Sequence, residues 1–297
     1  MRSRHCTRLM ALCFEKGTAH ANGQSCLFER TELSMEQFRY GTVKRYPVSY
    51  AGETAEIGTI DELMVALDVL NRRNDRELIE QLAPVLADII NIGDRIAPAN
   101  LKILLKALSA QDRLYVVELL GPRLGELVGT AVELRNLIVS LADVEVESAI
   151  LRAIGGNGLR RLIATCQQLW EILEWLFGES DVVLLDLLGP DYVRRLVAHG
   201  HELAEILRRV DPDRQIWTIE FLGWPVALSL LRDDVDFREV LSALCTEASA
   251  KLIDRLPNTK IVELVASELA WLELGRHLSP SKTRLLSDKL GRRQDAP

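Results

Sequence analysis

An internal repeat with a period of about 34 residues is the feature that most constrains how this chain can fold. Each copy carries the apolar pattern L-x-x-I/L-L-x-x-L, which marks one face of a helix. The copies begin at Leu63, Leu101, Leu134, Leu169, Leu203, Phe237 and, in a decayed form, Trp271. The last four copies are evenly spaced, and the earlier spacings differ from theirs by a few positions at most. We call the helix that carries this pattern the leucine helix of its unit.

A second motif recurs in phase with the first. A helix that we call the break helix runs up to a Gly or Pro, as in Leu188-Gly189-Pro190, where Gly suits a helix end and Pro opens the next helix. The break recurs with the same period at Gly121, Gly155, Gly189, Gly223 and Pro257, and Ala83 is its earliest relative. Three positions before each break stands a charged residue, which predicts an outward-facing site. These residues are Glu118, Arg152, Asp186, Glu220 and Asp254.

The repeat predicts both the fold class and the domain organisation. Two or three short helices cannot bury their apolar faces alone, whereas stacked units bury a continuous core. We therefore expect an all-α protein, a right-handed α-solenoid or superhelix of about six 34-residue units. Residues 1–57 form a poorly ordered or extended N-terminal segment, 58–279 the tandem helical-repeat domain, and 280–297 a capping helix with a basic tail.

The charge distribution makes nucleic acid an unfavourable partner. Residues 1–50 carry a net charge of +4 and residues 281–297 carry +3, while the whole chain carries −7, so residues 51–280 carry −14. An acidic body repels the phosphates whose counterions dominate nucleic-acid affinity. The longest uncharged stretch, Gly17–Phe28, has 12 mostly polar residues, so no membrane span is predicted.

The N-terminal segment is the least informative part of the chain. Its opening residues do not match a secretory signal, and Met35 is an alternative start to Met1. Tyr40–Tyr50 favours a short strand or an extended arm, because its residues prefer extended backbone. The spacing of three cysteines and a histidine fits no usual zinc site, so we expect no metal there. These residues are Cys6, Cys13, Cys26 and His20.

No catalytic constellation, cofactor site or metal site is predicted anywhere, and the chain is interpreted as a non-enzyme. The pair of histidines at His199 and His201 lies with Glu202 in a polar break between helices, which favours a solvated loop over a ligand set. Cys166 and Cys245 are expected to be core or half-buried thiols. The many carboxylates recur at equivalent positions and are interpreted as a solvated face.

Three aromatic residues are the candidate partner-binding site. Trp170, Trp175 and Phe177 join the usual core set in the fourth leucine helix, where other units carry Asn136, Ala204 or Arg238 in place of Trp170. Trp170 and Phe177 are seven residues apart, which predicts one shared helical face. Because Trp dominates binding hot spots, a partner anchor is one interpretation, and extra packing between neighbouring units is the other.

The repeat resembles the Leu-rich tandem helical repeats of secreted effectors from intracellular bacterial pathogens. The resemblance is carried by Asp112–Gly121 and Asp213–Gly223, which follow D-R-x7-L-G or a close variant, and by His201–Leu207, which follows E-L-x-x-I-L. It covers roughly residues 73–279. It implies a helical-repeat effector that is translocated into a host cell, as against a protein of the bacterial cytoplasm.

Three functional hypotheses follow. The leading one is a non-enzymatic scaffold that binds a protein or peptide along its superhelical surface. The alternative is a nucleic-acid-binding repeat protein, which requires a continuous basic stripe on the concave face. The third is an enzyme whose site lies in the N-terminal segment or between units. The identity of the partner and the oligomeric state are left open.

Overall fold

The structure is a computed structural model that describes residues 43–50, 52–70, 75–92 and 96–291. All of these residues belong to one compact unit that begins at Val43. The described part is mostly helical, which confirms the all-α prediction, and its strands form one antiparallel hairpin of β1 (Tyr46–Tyr50) and β2 (Glu53–Ile57).

The helices can be grouped by the sequence motif that each one carries. The leucine helices are α1 (Ile60–Leu70), α4 (Ala97–Ala107), α7 (Ala131–Leu141), α9 (Cys166–Leu173), α12 (Gly200–Leu207), α15 (Asp234–Ala243) and α18 (Glu268–His277). The break helices are α2 (Asp75–Leu82), α5 (Ala110–Leu120), α8 (Val144–Leu162), α10 (Ser180–Leu188), α13 (Gln215–Leu222) and α16 (Thr246–Arg255). The connecting helices are α3 (Leu86–Asn91), α6 (Leu124–Leu127), α11 (Pro190–Leu196), α14 (Trp224–Ser229) and α17 (Asn258–Leu264), and α19 (Pro280–Leu290) comes last. Short 3-10 turns cover Gly121–Arg123 and Pro212–Arg214.

The leucine helices bury the residues that the pattern selects. All four pattern positions are buried in each of the first six copies, from Leu63 to Leu244. In the decayed seventh copy Trp271 is half-buried and Gly275 is exposed. Burying a Leu or Ile side chain stabilises the fold by about 1.5–3 kcal/mol, so these faces are the main source of stability.

Glycine is required at the breaks by the backbone conformation. Gly121, Gly155, Gly189 and Gly223 all have positive φ, between 47° and 87°. At Gly155 (φ 69°, ψ 165°) the helix α8 changes direction, and this backbone region is open almost only to glycine. A Cβ on Gly155 would meet nothing within 4 Å, so conformation and not space excludes other residues.

Polar side chains cap the starts of the leucine helices. The side chain of Glu62 accepts hydrogen bonds from the N–H groups of Gly58 and Thr59, at 2.8 and 3.2 Å. Glu202 accepts from Ala198 and His199 in the same way. The equivalent caps are Glu133, Gln168 and Asp236. These bonds satisfy N–H groups that a helix start leaves without a partner.

Neighbouring units contact each other in chain order. Leucine helices touch in the series α1–α4–α7–α9–α12–α15–α18, and break helices in the series α2–α5–α8–α10. Arg160 donates from Nε to the carbonyl of Leu188 at 2.9 Å, and Arg194 donates to Leu222 at 2.7 Å. Because the two arginines stand one repeat apart, as do their two acceptors, the same tie joins successive pairs of units.

The hairpin belongs to this compact unit. Its strand β1 lies within the segment Tyr40–Tyr50 that the sequence predicted to be extended. Ser49 exchanges two backbone hydrogen bonds with the side-chain amide of Gln81 in α2, and Val48 and Ile57 are buried. Residues 43–50 and 52–57, which the sequence assigned to the N-terminal segment, therefore belong to the same compact unit as the first helices.

Candidate binding surface

A column of polar side chains lies inside the protein, one in each unit. The column consists of Asp75, Arg113, Glu147, Asp181, Gln215 and Ser249, at one equivalent position of the break helices. Five of its six members are buried, and Arg113 is half-buried. We call this set the inner polar column.

Two members of the inner polar column, Arg113 and Gln215, satisfy backbone groups at the ends of leucine helices. Arg113 donates from Nε to the carbonyls of Leu105 and Leu108 at 2.7 and 3.1 Å. Gln215 donates to Leu207 at 2.7 Å and accepts from the N–H of Cys245 at 2.6 Å. Since the last carbonyls of a helix have no partner within the helix, these side chains complete the helix ends.

Two carboxylates of the column are perturbed by their burial. Desolvation raises the pKa of Glu147 above its ordinary value, against hydrogen bonds from Phe177 and Ser180 that lower it. Desolvation likewise raises the pKa of Asp181, although Arg214 donates to Asp181 at 2.6 Å. The prediction that the repeated carboxylates form a solvated face is therefore wrong for these residues, because each occupies the core side of its break helix.

The predicted aromatic site is only partly assembled. Helix α9 ends at Leu173, and the next residues form i→i−3 bonds, Trp175 to Ile172 and Leu176 to Leu173. Trp170 and Phe177 therefore do not share one helical face. The N–H of Phe177 instead donates to buried Glu147 at 3.2 Å. Trp175 and Phe177 lie in this turn with 41% and 43% of their surface exposed.

Trp170 packs between units. It is half-buried, with its ring edge-on to His201 at 5.8 Å and the Arg209 guanidinium 5.6 Å from its centre. Both contacts come from the next leucine helix and its C-terminal turn. Arg209 also donates a hydrogen bond to Glu205. Although burial opposes ionisation of Glu205, hydrogen bonds from Arg209 and Arg208 hold its pKa below the usual range. The contacts of Trp170 match the inter-unit packing interpretation, and its role in binding stays a prediction.

Four successive break helices, α5, α8, α10 and α13, carry partly buried apolar residues at equivalent positions. Each helix supplies two such residues, four apart and packed against the core. The rings of Trp217 and Phe221 stack at 5.2 Å in the last of these units. The stripe consists of Tyr115, Leu119, Ala149, Ala153, Val183, Leu187, Trp217 and Phe221. We call it the apolar stripe.

Sequence reasoning missed the apolar stripe, although its signal is present. A break helix such as Gln215–Leu222 carries apolar residues beyond its buried face, and apolar residues are by themselves expected to be buried. The apolar stripe can be told from the core face in only one way. Its residues, such as Trp217 and Phe221, stand at two positions that recur from unit to unit.

A column of charges runs beside the apolar stripe. The five charged residues three positions before the breaks are all exposed, which confirms the outward orientation predicted for them. Glu118, Asp186, Glu220 and Asp254 are acidic, and Arg152 is basic. Each residue of this column that flanks the stripe lies one turn from a stripe residue on the same helix, so the stripe has a mostly acidic edge.

The polar candidates from the sequence occupy structural positions. His199 is exposed at the start of α12, and His201 contacts Glu239 at 3.0 Å. The thiol of Cys166 is buried, and burial raises its pKa to about 12, which opposes formation of the nucleophilic thiolate. Half-buried Cys245 accepts a hydrogen bond from the N–H of Ala248 at the start of α16.

Within the described ranges, no group of three or more His, Cys, Asp and Glu side chains is placed to hold a metal ion. Cys6, Cys13, Cys26 and His20 lie outside those ranges. None of the helices in the described part of the chain is both long and apolar enough to span a bilayer. Comparison with protein families, with curated proteins and with solved structures found no match to this chain.

Proposed function

We propose that this chain is a non-enzymatic helical-repeat scaffold that binds a protein or peptide segment on the apolar stripe. Its units stack as a right-handed α-solenoid of about six copies, with the break helices side by side. The order of contacts between successive helices and the repeated ties of Arg160 and Arg194 support this stacking.

The observation that carries the proposal is the apolar stripe itself. Eight apolar residues at two equivalent positions of four units are only partly buried, whereas the four positions of the leucine-helix pattern in those units are buried. An extended apolar surface with a polar edge is typical of a protein interaction site. Stacked aromatic side chains such as Trp217 and Phe221 are the usual energetic anchors of such sites.

The charges beside the stripe favour a protein partner over a nucleic acid. Phosphates would face the carboxylates of Glu118, Asp186 and Glu220, which oppose binding. The recurrent arginines Arg160 and Arg194 use their Nε to bind backbone carbonyls of the next unit. The resemblance to secreted effectors stays a prediction, and with it the choice between the bacterial cytoplasm and a host cell.

Selection of a phage-displayed random peptide library on the full-length protein tests the proposal. We expect peptides rich in apolar residues, and we expect the double variant Leu187→Ser/Trp217→Ser to weaken their binding at least about tenfold. Affinities are measured by fluorescence anisotropy with synthetic, labelled copies of the selected peptides.

The matched control is the double variant Trp175→Ser/Phe177→Ser, which removes the exposed aromatic residues of the turn that follows α9. Circular dichroism and the melting temperature of both variants check that they fold. We expect the control to bind like the wild type. Loss of binding only in the control would place the binding site at Trp175 and Phe177 instead of the apolar stripe. Binding of a labelled oligonucleotide in place of peptides would contradict the proposal.

A further inference from the structure

The apolar stripe ends in two basic residues. In the unit after Trp217 and Phe221, the equivalent positions of α16 carry Lys251 and Arg255, and both are exposed. At the opposite end the equivalent residues of α2 are Glu77 and Gln81. The two ends of the stripe therefore differ in charge.

The cation at the opposite end is already paired. Arg76 of α2 lies over the ring of Tyr115 at 4.3 Å, but it also forms an ion pair with Glu80 at 3.2 Å. By contrast, neither Lys251 nor Arg255 forms an ion pair with another residue in the described ranges. Asp254, the neighbour of Arg255 in the chain, lies 3.6 Å from Lys289.

Arg255 is held in place by an aromatic ring. Its guanidinium lies 4.5 Å from the ring centre of Trp224, the first residue of α14. Other units place Pro122, Gly156 or Pro190 where Trp224 stands, so this platform is a feature of one unit. A guanidinium stacked on a ring keeps its N–H groups free for a carboxylate and loses less rotational freedom on binding.

We propose that Lys251 and Arg255 bind the carboxylates at one end of the peptide segment that occupies the apolar stripe. This inference rests on the proposed function. The occupant is an apolar segment with acidic residues at one end and no acidic residues along its length. Carboxylates along its length would face Glu118, Asp186 and Glu220, whereas carboxylates at the end meet two exposed cations.

The dimensions of the stripe set the length of the probe. Packed helices lie about 10 Å apart, so four break helices span roughly 30 Å from the first to the last. An extended chain rises about 3.3 Å per residue, so roughly nine residues cover that span. The probes are therefore fluorescein-labelled peptides of roughly nine alternating leucines and serines, extended at one end by aspartates or by lysines.

The test compares the affinities of the two probes by fluorescence anisotropy at physiological salt. We expect the aspartate-ended peptide to bind the wild type about fivefold tighter than the lysine-ended peptide. In the variant Lys251→Glu/Arg255→Glu the order of the two affinities inverts. The matched control is Lys260→Glu/Arg276→Glu, which makes the same change of net charge at cations outside the stripe and keeps the wild-type order.

Each other outcome overturns the inference. Equal affinities of the two peptides for the wild type would refute the basic end while leaving the scaffold proposal intact. Inversion in the control as well would show a response to net charge alone. Failure of both peptides to bind the wild type would count against the scaffold proposal and this inference together.

Discussion

Single residues fix the points at which this chain changes direction. At Gly155 the backbone adopts φ 69° and ψ 165° within α8, and at Gly189 and Gly223 it adopts similar angles between helices. A residue with a Cβ pays about 1–3 kcal/mol for such a conformation. The recurrence of glycine at the breaks is therefore explained by backbone strain, which the sequence alone predicts correctly.

Substitution of one break glycine measures this strain. We expect Gly155→Ala to lower the free energy of unfolding by about 1–3 kcal/mol, because a Cβ fits the space but not the backbone angles. The control is Gly275→Ala in the helical interior of α18, which we expect to be stabilising by up to about 1 kcal/mol. Urea denaturation followed by circular dichroism gives both values, and equal changes would contradict the explanation.

Glu147 makes stability depend on pH. Because burial raises its pKa in the folded protein above the ordinary value of 4.5, the folded state keeps a proton that the unfolded state loses at pH values between these two pKa values. Its contribution to stability is therefore complete below about pH 4.5 and is lost as the pH rises through the raised pKa. Asp181 acts in the same direction, and the charge of Asp143 adds to the effect on Glu147.

The neutral variant Glu147→Gln isolates this contribution. Glutamine does not ionise, so the variant escapes the loss of stability that the wild type shows as Glu147 ionises. We expect its free energy of unfolding to rise relative to the wild type as the pH increases from about 5 to about 8. Each tenfold change in the acid dissociation constant of Glu147 on folding corresponds to about 1.4 kcal/mol. The exposed neighbour Glu145 supplies the control, and Glu145→Gln should show no such trend. A difference between Glu147→Gln and the wild type that stays constant with pH would refute this account.

At the scale of the helix, the sequence predicted which face of a helix is buried better than it predicted where the helix ends. The pattern of the fourth leucine helix placed Leu169 to Leu173 on the buried face correctly, but it extended the helix to Phe177. After Leu173 the chain turns with i→i−3 bonds, the N–H of Phe177 donates to Glu147, 30 residues away, and Gly178 adopts a positive φ. A bond to another unit cannot be deduced from local periodicity.

The last helix completes the end of a leucine helix by a similar long-range bond. Buried Lys282 of α19 donates to the carbonyls of Leu241, Ser242 and Leu244 at the end of α15. Lys282→Met keeps the aliphatic chain and removes the donor. We expect it to lower the free energy of unfolding by about 1–3 kcal/mol, because buried carbonyls lose their partner.

The control for this variant is Lys260→Met, which removes an exposed ion pair with Glu263 and should change stability by less than about 1 kcal/mol. Hydrogen exchange adds a local readout, since the last turn of α15 should exchange faster in Lys282→Met alone. Unchanged exchange there would mean that Lys282 contributes nothing to the helix end.

At the scale of the whole molecule, the sequence predicted the apolar core and the exposed column of charges, but neither the inner polar column nor the apolar stripe. The repeat of apolar residues determines which faces are buried, because burial follows directly from periodicity. The inner polar column was misread, since a side chain such as Glu147 or Asp181 is polar whether buried or exposed. The apolar stripe was missed for the converse reason, because Trp217 and Phe221 are equally suited to a core.

Stacked units require the break helices to stand side by side in chain order, and distances between spin labels measure this arrangement. Glu118, Asp186, Glu220 and Asp254 are exposed and equivalent, so each can be replaced by a labelled Cys in a background without reactive native cysteines. We expect the distance from position 118 to grow steadily to positions 186, 220 and 254, by about 10 Å per unit. Distances that fail to increase in that order would contradict the stacked arrangement and the binding surface inferred from it.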